Sequence, residues 1–361
     1  MIRNDLQSRT IDAMRVVLIV CVVMVHSYTS TQCDINTSYY PIYRFVSFFI
    51  SLNLSQVAIP GFFFLSGYLF FHKQGTYLQH LQRGWSRLLL PYLLFNALIL
   101  VAYLGVESIP SLNGYLSGNN LPVREYGFVD FLRAFWDGGH WNGGNGTPIL
   151  HQFWYIRNLL LLGIFSPLIL RYVRWTGGVG LGLLALWWIF APGQAMIAKS
   201  VVFFTMGAWF SINRHDFLPR FLRHSRPIML LFILFSVMTM WFWDYAWSVW
   251  LCRMGSLIGV AFVANMTAQS LVWRGHIFPL NHLQGLAFFI YAMHDPLIIF
   301  VKRLLLHAVP HTDWMLTLIY FVAPIVVIAL CMAAFYTLKH FFPRLMSVLV
   351  GTLISLKTRL R

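Results

Sequence analysis

Ten apolar stretches separated by short polar segments run through the chain. Most are close to the roughly 20 residues that a helix needs to cross a bilayer, although one of them is short. They cover approximately residues 14–30, 45–71, 88–105, 153–170, 178–192, 196–212, 228–243, 247–265, 283–301 and 314–338. A spanning segment must satisfy its own main-chain hydrogen bonds, so we expect an all-α, polytopic membrane protein of about ten transmembrane helices.

Two places in this pattern are irregular. The second stretch is long and contains Pro60-Gly61, which predicts a kink or break there. The region 178–212 fits either two short helices or one bent pair.

The basic residues indicate how the chain is threaded. With the N-terminus in the cytoplasm, most of the 26 Lys and Arg residues fall in inner segments, as the positive-inside rule requires. This places both termini in the cytoplasm. Arg3, Arg9 and Arg15 precede the apolar run from Val16 to Val25, and no small-residue cleavage site follows that run, so we interpret it as part of an uncleaved first helix.

The polar segments suggest one domain with one long loop. We expect a transmembrane domain at 1–345, followed by a basic cytoplasmic tail at 346–361. The loop, at about 105–152, faces outward and ends in the Gly-, Trp- and Asn-rich run WDGGHWNGGNGTP. Loops of this length are often functional, and a flexible connector is the alternative.

Composition excludes a soluble protein. Hydrophobic residues make up 58% of the chain and charged residues only 10%, whereas a soluble domain carries about a quarter charged residues. The net charge of +15 raises the possibility of nucleic-acid binding, but the basic residues lie mainly between apolar spans. We therefore expect a lipid bilayer and no nucleic acid as a partner. The four cysteines match no metal motif, and we expect no metal site and no disulfide framework.

Ionisable residues inside the first helix are the strongest functional signal. Arg15 and His26 are eleven residues apart, which returns to within about 20° on a helix, and Asp12 lies about 40° from His26. His26 is about 16 Å further along the helix axis than Arg15. A histidine hydrogen-bonded in a helix interface is the alternative, but charged residues within membranes are usually functional.

Other polar residues form three smaller groups. Arg83 and Arg87 share a face at the start of the third helix and fit either a positive-inside anchor or a phosphate clamp. Tyr291 and His294 share a face of the ninth helix, with His294 at a depth similar to His26, and the following Asp295-Pro296 predicts a bend.

Trp154 and Arg157 open the fourth helix on the outer side. An interfacial aromatic residue beside a snorkelling arginine explains them without a function.

These residues sit in segments that resemble the membrane-bound acyltransferase-3 family of bacterial proteins. The resemblance extends from about residue 11 to residue 296. Its departures are the four-residue arginine spacing, Asn158 where an Asp is common, and Asp295 between His294 and Pro296. The matching segments are IDAMRVVLIVCVVMVHS, GFFFLSGYLF, the Arg83 and Arg87 region with LLLPY, FWYIRNLLLLGIFSPLI and FFIYAMHDP.

The resemblance implies an acyl-CoA-dependent O-acyltransferase of the bacterial inner membrane. The donor would be cytoplasmic acyl-CoA, with acetyl-CoA as the commonest case, and the acceptor a hydroxyl of an outer-side glycan or lipid-linked sugar. Arg15, Arg83 and Arg87 would bind the phosphates of the donor. His26 would be the base, either deprotonating the acceptor or carrying the acyl group.

The other residues receive supporting roles in this hypothesis. Asp12 would orient Arg15, and Tyr291 and His294 would complete the cavity or stabilise the oxyanion. Trp154 and Arg157 would present the acceptor, and Ser66, in the GFFFLSGYLF segment, is grouped with them.

Two rival functions remain. A proton-coupled transporter of a small polar or glycan-related substrate also uses buried His and Asp residues, although such carriers often show repeats and broken helices in matching halves. A membrane scaffold without chemistry leaves the Arg15 and His26 stripe unexplained. The sequence does not name the acyl group, the acceptor or the oligomeric state.

Overall fold

Every regular element in the described part of the chain is a helix, as predicted. The computed structural model describes residues 2–32, 37–73, 75–109, 122–138, 146–193, 196–274 and 283–352. The helices are α1 (Ile2–Gln32), α2 (Pro41–Ser47), α3 (Ala58–His72), α4 (Tyr77–Gly84), α5 (Leu90–Glu107), α6 (Phe128–Ala134), α7 (Trp154–Ile164), α8 (Ser166–Phe190), α9 (Met196–Ile212), α10 (Phe217–Arg223), α11 (Ser225–Trp241), α12 (Ser248–Arg274), α13 (Leu283–Ala308), α14 (Asp313–Phe341) and α15 (Pro343–Leu349).

Seven helical spans within the described residues are long and apolar enough to cross a membrane. The count rises to eight if α9 and α10, which are bent by 102°, form one broken span. That bend lies beyond residue 212, whereas within 178–212 the long helix α8 ends at Phe190 and a separate helix, α9, begins at Met196. Helix α11 is apolar but shorter. The predicted number of about ten is therefore not reached by length and composition. The seven spans are Leu6–Tyr28, Pro41–His72, Tyr77–Glu107, Ser166–Phe190, Ser248–Arg274, Gly285–Ala308 and Asp313–Phe341.

The predicted boundaries at 153–170 and 178–192 are wrong. The fourth stretch ends as α7 at Ile164, and α8 begins at Ser166 and continues through the segment predicted to be a loop. Pro167 lies in the first turn of α8, where proline is favoured because its missing N–H has no helical partner to lose. At Gly177 the backbone takes a φ of 56°, so a kink replaces the predicted loop.

The break predicted at Pro60-Gly61 lies immediately upstream instead. A π turn at Phe48–Asn53 and a 3-10 turn at Leu54–Val57 separate α2 from α3. Pro60 falls in the first turn of α3, which proline tolerates.

Two units make up the chain. The first comprises Met1–Gln74 and Phe165–Ala334, and the second comprises Gly75–Ile164 and Phe335–Arg361. In the first unit α1 packs against α3, α12 and α13, so α1 lies within the helix bundle rather than at its edge.

Glycine permits the close contact between α3 and α9. A Cβ at Gly67 would overlap the carbonyl oxygen of Phe204, and a Cβ at Gly207 would overlap that of Phe64. The backbones therefore approach directly, as small residues allow between membrane helices. Packing against α9 therefore explains Gly67, the second glycine of the GFFFLSGYLF segment. Ser66, the residue before it, is partly buried.

A buried arginine completes the end of α8. Arg253 on α12 is 7% exposed. Its guanidinium donates to the carbonyl oxygens of Trp188, Ile189, Ala191 and Gly193, at 2.6 to 2.9 Å. The last carbonyls of a helix have no partner within the helix, so this side chain satisfies them.

The second unit contains the described parts of the predicted outer loop. The carboxylate of Glu107 accepts from the N–H groups of Val123 and Arg124, both at 3.0 Å, and so fixes the turn that precedes α6. The loop is thus partly structured. Residues 110–121 and 139–145, with most of its Gly- and Trp-rich end, lie outside the described residues, as do 353–361 of the predicted tail.

Candidate active site

The centre of the site is a pair formed by His26 and Asp295. His26 lies on α1 and Asp295 on α13, and the His26 Nδ1 is 2.6 Å from the Asp295 Oδ1. Both side chains are about one-fifth exposed, at 20% and 19%. An imidazole that donates from Nδ1 to a carboxylate is held in one orientation, and its acid–base chemistry falls to Nε2.

His294 lies beside this pair. Its ring meets the His26 ring edge to face, with centroids 4.8 Å apart and an interplanar angle of 80°. The ring is fully buried, at 0% exposure. Tyr291, one turn earlier on α13, is also buried and places its ring 6.2 Å from that of His294. The structure therefore brings His26, Tyr291 and His294 together, as their depths suggested.

The hydrogen bonds of His294 show which of its two ring nitrogens carries the proton. Its Nδ1 lies 2.8 Å from the carbonyl oxygen of Tyr291 and 3.1 Å from that of Ile290. Carbonyl oxygens only accept, so Nδ1 carries the proton and the neutral ring has a bare Nε2. An oxyanion needs hydrogen-bond donors, and a neutral His294 offers none from Nε2. The oxyanion role therefore suits Tyr291 better than His294.

Arg15 and Asp12 form the contact expected from their spacing. The Arg15 Nη1 lies 2.6 Å from the Asp12 Oδ1, with side-chain exposures of 27% and 31%. The carboxylate orients the guanidinium, which lies on the stripe of α1 that leads to His26.

A second polar cluster anchors the same end of α1. The Gln7 amide donates to the hydroxyl of Tyr68 at 2.6 Å and to the Asp216 Oδ1 at 3.0 Å. The N–H of Leu218 donates back to the Gln7 Oε1 at 3.3 Å. These contacts join α1 to α3 and to the bend between α9 and α10. Sequence reasoning missed this cluster because its members lie on three separate elements.

Lys302 is a buried amine that contacts the main chain next to His26. Its side chain is 1% exposed, and its Nζ donates to the carbonyl oxygen of Ser27. Lys302 is seven residues beyond Asp295, so both lie on one face of α13. The sequence pattern placed Lys302 in an outer segment. Its position inside the long apolar helix α13 is the feature that could have indicated its burial.

The other predicted site residues belong to the second unit. Arg83 ends α4 partly buried, and Arg87 lies in the π turn at Trp85–Leu89 and is exposed. Trp154 is buried at the start of α7.

Arg157 contacts Trp136 in the same unit. It donates to the carbonyl oxygen of Trp136 and stacks on its ring, 5.0 Å from the guanidinium carbon to the centroid. Its buried Nε has no hydrogen-bond partner. Trp136 is the first residue of the WDGGHWNGGNGTP run, and its contact with Arg157 makes it a candidate that the sequence did not name individually.

No group of three or more His, Cys, Asp or Glu side chains within the described ranges is arranged to hold a metal ion. The chemistry that the described residues offer is acid–base and nucleophilic. A histidine fixed by a carboxylate suits proton removal from a hydroxyl or attack on an activated acyl group.

Comparison with known proteins agrees with this chemistry. Residues 9–336 match the family model described as an acyltransferase domain. The succinoglycan biosynthesis protein ExoH of Rhizobium meliloti (strain 1021) is 25% identical over 362 residues, covering 96% of this chain and 92% of that protein. No solved structure matches the chain significantly. The family match spans nearly the whole chain and confirms the resemblance, so this protein belongs to the acyltransferase-3 family and is a multi-pass helical membrane acyltransferase.

Proposed function

We propose that this protein transfers an acyl group from cytoplasmic acyl-CoA to a hydroxyl of a glycan or lipid-linked sugar on the outer side of a bacterial inner membrane. The 2.6 Å contact between His26 and Asp295 is the observation that carries this proposal. It provides an oriented base within a membrane-spanning helix, which an acyltransferase needs to activate a weak hydroxyl nucleophile.

The reaction follows from the tautomer of His26. Asp295 accepts a hydrogen bond from Nδ1–H of His26, and Nε2 removes the proton of the acceptor hydroxyl. The hydroxyl oxygen then bonds to the thioester carbonyl carbon, and the carbon–sulfur bond breaks. The CoA thiolate leaves and takes the proton from the imidazolium, which regenerates neutral His26. A covalent variant starts with attack of Nε2 on the thioester carbonyl carbon, which releases the CoA thiolate. It ends when the acceptor hydroxyl attacks the acyl carbon: the bond to Nε2 breaks, the hydroxyl proton passes to the thiolate, and neutral His26 is regenerated.

Arginines suit the donor end of this reaction. Acyl-CoA carries several phosphates, and Arg presents a planar fork of donors that matches them. Arg15 is oriented by Asp12 and lies on the α1 stripe that leads to His26. Arg83 and Arg87 belong to the second unit, and their role as phosphate ligands rests on the family resemblance. Acetyl-CoA is the first donor to test.

Aromatic and guanidinium groups suit the acceptor end. Trp136 stacked on Arg157, with Trp154 nearby along α7, offers flat apolar faces beside hydrogen-bond donors, a combination that binds sugar rings. The similar protein is named for succinoglycan biosynthesis, which supports a polysaccharide or its lipid-linked precursor as the acceptor.

Sealed proteoliposomes test the proposal and its transporter rival together. Labelled acetyl-CoA and then other acyl-CoAs are enclosed, a glycan is supplied outside, and acylated glycan is measured by mass spectrometry. The proposal predicts acylated glycan outside and free CoA inside. Glycan uptake without acyl-CoA, together with no acylated product from any donor, would favour the transporter and reject the proposal.

A further inference from the structure

The Nε2 atom of His294 is a buried hydrogen-bonding atom that the protein does not satisfy. The side chain is 0% exposed, and this nitrogen has no hydrogen-bond partner within the protein. Leaving such an atom without a partner forfeits its solvation without compensation, so native proteins rarely keep one without a reason.

The chemistry of this atom is fixed by the rest of the ring. Because Nδ1–H donates to the carbonyl oxygens of Ile290 and Tyr291, Nε2 of the neutral ring can only accept. A thioester, carbonyl or ether oxygen cannot satisfy it. The missing partner therefore carries an O–H or N–H group.

The position of the ring indicates where that group belongs. The His294 ring lies 4.8 Å from the ring of His26, and both rings use Nδ1 on protein oxygen atoms. The chemistry of each ring thus falls to Nε2, which gives two acceptor nitrogens on adjacent imidazoles. A ligand that donates a hydrogen bond to both Nε2 atoms must carry two O–H or N–H groups separated by very few bonds.

We propose that the two histidines bind a vicinal diol of the sugar acceptor, an inference that rests on the proposed function. The hydroxyl that becomes acylated meets His26, and the hydroxyl on the neighbouring ring carbon donates to Nε2 of His294. Neighbouring hydroxyls of a pyranose are held gauche, so their oxygens stay within reach of two adjacent rings. The alternative donor for Nε2 of His294 is the amide N–H of CoA that lies nearest the thioester. A flexible chain separates this N–H from the reacting carbon, so its position relative to the two rings is not fixed as that of a neighbouring hydroxyl is.

This arrangement makes His294 a specificity-determining residue. His294 does not remove the proton of the second hydroxyl, because only His26 is paired with a carboxylate. The enzyme therefore acylates a ring hydroxyl flanked by a free hydroxyl, and it discriminates against sugars whose neighbouring position is deoxy, methylated or already acylated.

Two substitutions separate this role from a packing role. In His294→Asn the amide nitrogen falls near the former Nδ1 and retains a donor for the helix carbonyl, but no acceptor reaches the former Nε2 position. In His294→Gln the side-chain oxygen reaches that position and restores an acceptor. Both replacements are polar and smaller than or similar to histidine, so they form a matched pair.

The experiment uses the purified full-length protein in lipid nanodiscs with acetyl-CoA. The acceptors are methyl pyranosides of glucose, galactose and mannose and their monodeoxy counterparts, and the acylated position is determined by NMR. For wild type, removing the neighbouring hydroxyl should lower kcat/KM about tenfold to a hundredfold, the loss expected when a buried acceptor is left unpaired. The Asn variant should lose this discrimination and the Gln variant should keep most of it, with the KM for acetyl-CoA unchanged in both.

Three results would overturn the inference and leave the proposed function intact. They are acylation at the primary 6-hydroxyl, equal discrimination by wild type and the Asn variant, and an Asn variant that raises the KM for acetyl-CoA instead of the acceptor KM. Release of CoA with no acylation of any of these sugars would also overturn it. If no acyl-CoA gives either CoA release or sugar acylation, the proposed function is rejected together with this inference.

Discussion

Asp295→Asn is the sharpest test of how His26 becomes a base. The amide keeps the size of the carboxylate but loses its charge, and its nitrogen can donate to the His26 Nδ1 that now donates to the carboxylate. That exchange moves the imidazole proton to Nε2, where it blocks removal of a proton from the acceptor. The substitution therefore reverses the tautomer as well as weakening the contact.

The size of the effect follows from the contact. A hydrogen bond to a charged group contributes about 1.5–3 kcal/mol, or about 10-fold to 150-fold in rate. The distance of 2.6 Å and the exposure of about one-fifth on each side favour the upper part of that range, because solvent screens the pair little. Tautomer reversal adds to it, and the equivalent change in serine-protease triads lowers kcat about 10⁴-fold. We expect kcat to fall by about 10² to 10⁴.

The assay is the initial rate of acyl transfer to a glycan in nanodiscs, with the folded fraction measured by size-exclusion chromatography. The matched control is Asp244→Asn, because the Asp244 side chain is 86% exposed and its ion pair with Arg44 is 3.6 Å long. Asp295→Ala should be no worse than Asp295→Asn, since alanine cannot donate to Nδ1. A folded Asp295→Asn protein with more than half of the wild-type rate would refute the reasoning.

Three further predictions concern packing and donor binding. Arg253→Ala should destabilise the protein by about 2–4 kcal/mol by freeing buried carbonyls at the end of α8, seen as a Tm several degrees lower in detergent, whereas exposed Arg274→Ala should leave the Tm unchanged. Gly207→Ala should lower the free energy of unfolding by about 1–3 kcal/mol because α3 and α9 must separate. Gly182→Ala, in open space within α8, should be neutral or stabilising, and equal Tm values for the two variants would contradict this packing. Arg15→Gln should raise the KM for acyl-CoA about tenfold while changing kcat less, and an unchanged KM in substrate titrations would remove Arg15 from the donor site.

Features that depend on one helix were predictable from the sequence. Hydropathy gave the all-helical membrane fold, and a spacing of three residues gave the contact between Asp12 and Arg15. The similar depths of His26 and His294 along their helices predicted that the two rings lie close together, as they do.

Features that depend on packing between helices were not predictable. Asp295 was recognised only as the neighbour of His294, because nothing in a single helix reveals which side chain faces it from another. The burial of Lys302 has the same origin. The break near Phe165 escaped detection because Pro167 is equally compatible with a kinked span and with the start of a new helix.

The most direct measurement of the central claim is the rate of acyl transfer by His26→Gln. Glutamine preserves polarity near the Nε2 position but cannot take up the acceptor proton. His307→Gln is the matched control, because His307 lies exposed on α13. We predict that His26→Gln is folded and at least about 10³-fold slower than wild type in both CoA release and glycan acylation, while the control is unchanged. A folded His26→Gln protein within tenfold of the wild-type rate would contradict the account.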